Sequence, residues 1–141
     1  MKVLILTLAL LSVVLAKLVE VEPGVFKETR PVGQLHKYNY AKIKVPVGSK
    51  FTIELPMISG TGYMWYLQGS RCLKRIELLD GQDEGTMLPA SDTKIVGGPG
   101  TQAFTFEAVV PGEDMLVFWL MRTWLKPVHD KSYRIEIKIT H

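Results

Sequence analysis

The sequence predicts an all-β chain folded as an immunoglobulin-like antiparallel β-sandwich of about seven strands. Three observations predict it. Short stretches of apolar and polar residues alternate strictly, Gly- and Pro-containing turn signals separate them, and no stretch after Ala16 repeats apolar residues at a helical spacing. The Cys–Trp–Cys hallmark of antibody domains is absent, so the likeness to them is architectural.

The first residues stand apart from that pattern. Lys2 is followed by an apolar run, Val3 to Val14, broken only by Thr7 and Ser12, and Val14 and Ala16 are the small or β-branched residues a signal peptidase accepts. The run is shorter than the roughly 20 apolar residues that span a bilayer. A signal peptide over residues 1–16 is therefore expected, with a single domain over 17–141. The chain is expected to enter the secretory pathway, to be secreted or held in a lysosome- or vacuole-like lumen, and to keep no membrane attachment after cleavage. A domain of that length buries about two-thirds of its unfolded surface and needs no disulfide or metal to fold.

Along the domain, Ile43 and Val45 between Lys42 and Lys44 mark a first strand. Phe51, Ile53 and Leu55 alternate with Lys50, Thr52 and Glu54 in the next. The stretch from Tyr63 to Leu79 makes one excursion across the sandwich and back, with a weaker strand over Arg75 to Leu79. Phe104, Phe106 and Ala108 alternate with Thr105 and Glu107. Met115 to Met121 is apolar on both faces, which suits the middle of a sheet, and Tyr133, Ile135, Ile137 and Ile139 alternate with Arg134, Glu136 and Lys138. Pro46-Val47-Gly48, Asp80-Gly81 and Pro111-Gly112-Glu113-Asp114 read as turns between these runs. Residues 80–93 read as a long loop with no assigned place.

Charge and cysteine content exclude several function classes. Seventeen basic against fourteen acidic side chains give a net charge of +3, too small and too interspersed for nucleic-acid binding. Cys72 is the one cysteine, so no internal disulfide forms, and its neighbours Leu73 and Ile76 lead us to expect a buried thiol. His129-Asp130 are adjacent, and adjacent residues rarely orient each other as an acid–base pair; no serine sits in a nucleophile motif, and Cys72 has no supporting motif. The chain is read as no enzyme, with no cofactor.

Three connecting segments carry the functional reading. In Gly60-Thr61-Gly62-Tyr63 two glycines bracket Thr61, permitting positive φ and removing the Cβ that would hold a partner's backbone away. In Gly97-Gly98-Pro99-Gly100 the proline stiffens a Gly-rich turn, and no helix or Lys-Ser/Thr follows to make it a nucleotide loop. Arg122-Thr123-Trp124 leaves an apolar strand and offers two residue types enriched at interface hot spots. Each strand reverses the chain, and an even number of strands separates consecutive segments, so all three are expected at one end of the sandwich, with Pro111-Gly112 at the other.

These segments, in this order, resemble the contact loops of the chagasin family of papain-like cysteine protease inhibitors. The family carries an Asn-Pro-Thr-Thr-Gly-Tyr segment, a Gly-x-Pro-Gly or Gly-rich segment and an Arg-Pro-Trp segment. Thr61-Gly62-Tyr63 matches the end of the first, with Trp65 where the family often has tryptophan. Gly97-Gly98-Pro99-Gly100 matches the second in full, Arg122 and Trp124 match the third, and Pro127-Val128-His129-Asp130-Lys131-Ser132 before the last strand is also similar. Two departures stand out: Ile58-Ser59-Gly60 replaces Asn-Pro-Thr, and Thr123 replaces the proline of the third segment. The likeness runs from about Val45 to Ile139. It implies a monomeric, reversible, competitive inhibitor of papain-like cysteine endopeptidases, cathepsin L-like or similar, bound through Gly60, Thr61, Gly62, Tyr63, Gly97, Gly98, Pro99, Gly100, Arg122, Thr123 and Trp124. The competing reading is a secreted immunoglobulin-like module that binds a carbohydrate, through Trp124 and Tyr63, or another protein.

Overall fold

The computed structural model describes residues 24–88, 99–122, 124 and 130–141. The expected signal peptide, together with Gly97, Gly98, Thr123 and Pro127 to His129, lies outside the described residues. Among the described residues nine strands form: β1 (Val25–Lys27), β2 (Tyr38–Pro46), β3 (Lys50–Ile58), β4 (Met64–Gln68), β5 (Ile76–Leu78), β6 (Thr86–Leu88), β7 (Pro99–Ala108), β8 (Gly112–Met121) and β9 (Lys131–Thr140). Every alternating run becomes a strand. Their apolar phases meet in one core: Phe51, Ile53 and Leu55 of β3 and Phe104, Phe106 and Ala108 of β7 face Leu116, Phe118 and Leu120 of β8 and Ile135, Ile137 and Ile139 of β9.

The strands form two sheets. One has the order β1-β3-β7-β5, with β6 pairing beside β5 on the same edge of β7; the other has the order β2-β9-β8-β4. β8 is an interior strand, as its two apolar faces lead one to expect. Phe104 of one sheet and Phe118 of the other meet at 4.7 Å between ring centroids, tilted by 56°. Truncating either ring to alanine in so closed a core costs about 3–5 kcal/mol.

Two pairings are not antiparallel. β1 runs parallel to β3 and β2 parallel to β9. The reason lies in the connections. The chain crosses between the sheets after β1 and crosses back through the tight turn after Pro46, so β2 cannot pair with either sequence neighbour and takes the free edge of β9. Strands β1 and β6 add to the seven the alternation indicates; β1 has three residues, and β6 has no buried position to mark it.

Of the long segment over residues 80–93, the part up to Leu88 is described and crosses the open edge between the sheets, while 89–93 lie outside the described residues. Asp80 accepts a bond from the Thr105 amide at 2.6 Å, and the Asp83 carbonyl accepts one from the Leu67 amide at 2.8 Å. Gly85 follows at φ +61°, packed against β7, where a Cβ would lie 2.7 Å from the Phe104 ring.

Cys72 corrects an expectation: it is exposed, not buried. It closes a 3-10 turn, Ser70–Cys72, entered from Gly69 in the left-handed conformation, so it belongs to no strand and has no inward phase. Of its two apolar neighbours, Ile76 on β5 is buried in the core and Leu73 packs against it half-buried.

Candidate functional site

The register brings the three segments to one end. Ile58, the last residue of β3, pairs with Pro99, the first of β7, and Met64, the first of β4, pairs with Met121, the last of β8. Leu120 pairs with Lys131, so the segment from Arg122 to Asp130 closes at the same end, while the turn around Pro111 lies at the other. The parity argument from the sequence reaches the same arrangement although three strands, β4, β5 and β6, separate the first two segments, because β5 and β6 both run antiparallel to β7 and make a single return.

The first loop, from Ser59 to Tyr63, is closed by its own threonine. The Thr61 hydroxyl donates to the Ile58 carbonyl at 2.9 Å and accepts from the Tyr63 amide at 3.3 Å, a side-chain turn that fixes the backbone. Gly60 and Gly62 sit at φ +84° and +81°, the left-handed region that an L side chain resists. The exposed tip is Gly60; Thr61 is half-buried beside it, with its hydroxyl committed inward.

The third segment locks onto the first. Arg122 donates through Nε to the Thr61 carbonyl at 3.0 Å, and its guanidinium carbon lies 4.3 Å from the centre of the Tyr63 ring and 5.9 Å from that of Trp124. Arginine suits this position because its planar group hydrogen-bonds at an edge while stacking on its face. The Trp124 indole rests over Gly62, in space that a Cβ would take, yet remains 67 % exposed. Loops one and three thus form one unit, Thr61–Arg122–Tyr63 and Gly62–Trp124, with an aromatic face held out to solvent. Of the second segment, Pro99 is exposed and Gly100 half-buried, where a Cβ would make ordinary contact with Met57 and Ser59 at 3.5 and 3.7 Å.

Beneath this surface lies a residue the sequence reading passed over. Gln102 is fully buried, and its amide does the work of a neighbouring strand for the edge strand β4. Its Oε1 accepts from the Trp65 amide at 2.7 Å, and its Nε2 donates to the Trp65 carbonyl and to the Glu84 carbonyl, both at 2.9 Å. It ties β4, two residues beyond Tyr63, to β7 just beyond the second loop. The signal was present: Gln102 shares the inward phase of Phe104, Phe106 and Ala108, where a polar residue must find partners. Trp65 is buried, donates from its indole to the Pro56 carbonyl at 2.7 Å, and meets the edge of the Tyr133 ring at 6.3 Å.

A strap from Glu28 to Lys37 crosses from one sheet to the other at this end. Lys131 holds it to the close of the third segment, its ammonium donating to the Val32 and Leu35 carbonyls at 2.7 and 2.9 Å. The buried Tyr133 hydroxyl donates to Glu28 at 3.2 Å; burial first, and then the Glu28 charge, push this phenol up to about 12.

Among the described residues the arrangement offers a binding surface and no grouped acid, base and nucleophile. Cys72 follows β4 at the far end of the sandwich, away from the loops. Among the described residues no three His, Cys, Asp or Glu side chains are grouped to hold a metal ion.

Known proteins resemble this chain over most of its length. Residues 44–139 match the model of the chagasin family, described as Chagasin family peptidase inhibitor I42. Chagasin of Trypanosoma cruzi is 30% identical over 95 residues, covering 67% of this chain and 84% of chagasin. Among solved structures, PbICP-C in complex with falcipain-2 superposes with a TM-score of 0.59 at 16% identity, over 83% of this chain and 99% of that one. The cysteine protease inhibitor EhICP2 from Entamoeba histolytica gives 0.56 at 15% identity, over 83% and 96%. Amebosin gives 0.52 at 19%, over 85% and 100%. These structural likenesses place the fold.

Proposed function

The chain belongs to the chagasin family of peptidase inhibitors, and from that premise we propose that it inhibits papain-like cysteine proteases by filling the active-site cleft with the three loops at one end of its sandwich. It is an inhibitor and not an enzyme. The observation that carries the binding mode is the coupling of the first and third loops: Arg122 holds the Thr61 carbonyl and Trp124 stands on Gly62.

The mechanism is steric. A protease cleaves an extended segment whose carbonyl it can reach and whose leaving end can depart. The Ser59–Tyr63 turn is held by the Thr61 hydroxyl and the Arg122 guanidinium, with β3 and β4 on either side, so a cut there would not release its ends. In this reading Gly60, Thr61, Gly62 and Tyr63 enter the cleft and cover the catalytic thiol. Gly97, Gly98, Pro99 and Gly100 lie on one side, and Arg122, Thr123 and Trp124 on the other. A first loop fixed before binding by Thr61 and Arg122 loses little entropy on binding, so the roughly 800 Å² that each partner buries in a protease–inhibitor complex converts better into affinity.

The likeness to PbICP-C, solved with falcipain-2, and to EhICP2, a cysteine protease inhibitor, supports this reading. The leader-like run after Lys2 supports a further part of it: the protein acts in the secretory pathway, as a secreted monomer or in a lysosome-like lumen. Titration of the purified protein into papain and a cathepsin L-like enzyme, followed with a fluorogenic substrate, tests the proposal. Reversible inhibition that rising substrate overcomes is the expected result; no inhibition of any papain-like enzyme by folded protein would overturn it.

A further inference from the structure

We propose that the outer corner of the five-stranded sheet beside the loops is a fourth contact with the protease, an apolar lip that selects among papain-like enzymes by the polarity of the cleft rim it meets. The proposal rests on the inhibitory reading above and adds a partner-selecting surface to it.

The argument begins with phase. On β3 the buried positions are Phe51, Ile53, Leu55 and Met57, so Lys50, Thr52, Glu54, Pro56 and Ile58 face outward. On β7 the outward positions are Pro99, Thr101, Ala103, Thr105 and Glu107, since Gln102, Phe104 and Phe106 are buried on the other face. On β6 they are Thr86 and Leu88, which pair with Ala103 and Thr101. Far from the loops this face is polar, with Lys50, Thr52, Glu54, Thr105 and Glu107. Toward the loops it turns more apolar, with Pro56, Ile58, Pro99 and Leu88 set around Thr101.

Register joins these residues into one patch. Ile58 and Pro99 are directly opposed, which places their Cβ atoms about 5 Å apart. Leu88 opposes Thr101 and is therefore diagonal to Pro99 on the same face. Ile58 is 40% exposed and Leu88 36%, and neither is drawn into the core. β6 is a short edge strand of three residues, and Met87 and Leu88 on it are both exposed. An apolar corner on an edge strand is costly to leave in water and gains when a partner covers it. It is continuous with the loops, since Ile58 leads into the first and Pro99 closes the second, so the occupant is the wall of the same cleft. Its chemistry follows: aliphatic or aromatic rim side chains are favoured, and a charged rim is refused because its charges would lose water without gaining a partner.

The test is inhibition by Ile58→Lys, Leu88→Lys and the double variant, measured against papain and several papain-like proteases of differing rim polarity. Val110→Lys, exposed at the far end, is the control. The expected result is a rise in the inhibition constant of about tenfold or more for the double variant, largest for enzymes with apolar rims, with no change for the control. If lysine disturbs the strands, Ile58→Thr and Leu88→Thr place a β-branched residue that strands accept and still remove apolar surface, and the same direction of loss is expected. An unchanged constant across all enzymes, with folding intact, would overturn the lip while leaving the inhibitor reading standing. Failure of the unmodified protein to inhibit any enzyme would overturn the inhibitor reading itself.

Discussion

Gly62 and Trp124 occupy the same space, and only the absence of a side chain on one lets the other be there. A Cβ on Gly62 would overlap Cη2 of the indole and lie 3.0 Å from Cζ2, and Gly62 holds a φ of +81° that alanine resists. Gly62→Ala should therefore act twice: it strains the first loop by about 1 kcal/mol or more and displaces the indole of the third. We expect a modest drop in melting temperature with at least a tenfold loss of inhibition. Equal inhibition by the variant would show that the indole's position over Gly62 is not used.

Trp124→Ala separates binding from folding. The side chain is 67% exposed and absent from the buried core, so its removal should leave the thermal midpoint within a degree or two. A tryptophan that anchors an interface contributes about 2 kcal/mol or more, which raises the inhibition constant by about thirtyfold or more. A fall in stability without a change in inhibition would assign Trp124 to the fold.

Much of this was legible in the residues because strand alternation and turn chemistry are local. Phe51, Ile53 and Leu55 could hardly face anywhere but inward, and the parity of reversals placed three loops at one end without any knowledge of pairing. What is not local was not legible. The parallel partnership of β2 with β9 depends on which edge remains free once the chain has changed sheets, and nothing in Ile43 or Val45 reports it. Thr86-Met87-Leu88 pairs with β7 yet buries no residue, so it leaves no alternation to read. The hydrophobic neighbours of Cys72 point inward, but the left-handed Gly69 starts a 3-10 turn that holds Cys72 outside both sheets. Gly62 was recognised for its own freedom; that it also clears space for a tryptophan 62 residues on is a tertiary fact.

Gln102→Leu keeps the volume and removes the amide. Three backbone groups then lose their partner: the Trp65 N–H, the Trp65 carbonyl and the Glu84 carbonyl. Each buried group left unpaired costs about 1–3 kcal/mol, and partial access to water lowers the sum, so we expect a loss of about 3–5 kcal/mol. Equilibrium unfolding in urea measures it. Inhibition by the folded fraction should weaken too, because β4 carries Tyr63 into the loop. A loss below 1 kcal/mol would mean that β4 needs no such tie.

Tyr133 makes stability fall at high pH, and the sign follows from where its proton is held more tightly. Burial and the Glu28 charge raise the folded phenol to about 12, while an unfolded tyrosine ionises near about 10. Below about pH 10 the phenol is neutral in both states, and the difference contributes no pH dependence. Between about 10 and 12 the unfolded chain releases the proton and the folded one keeps it, so stability drops, by no more than about 1.4 kcal/mol per pH unit for one proton. Above 12 both states are ionised and this loss stops growing. Tyr133→Phe removes the titration together with the hydroxyl's bond to Glu28 at 3.2 Å. At neutral pH the variant should be less stable by about 1 kcal/mol. As pH rises past about 10 the gap should narrow and then reverse, read by urea unfolding of both proteins at several pH values. A gap that stays constant from neutral pH to about pH 11 would show that the phenol is not held protonated by the fold.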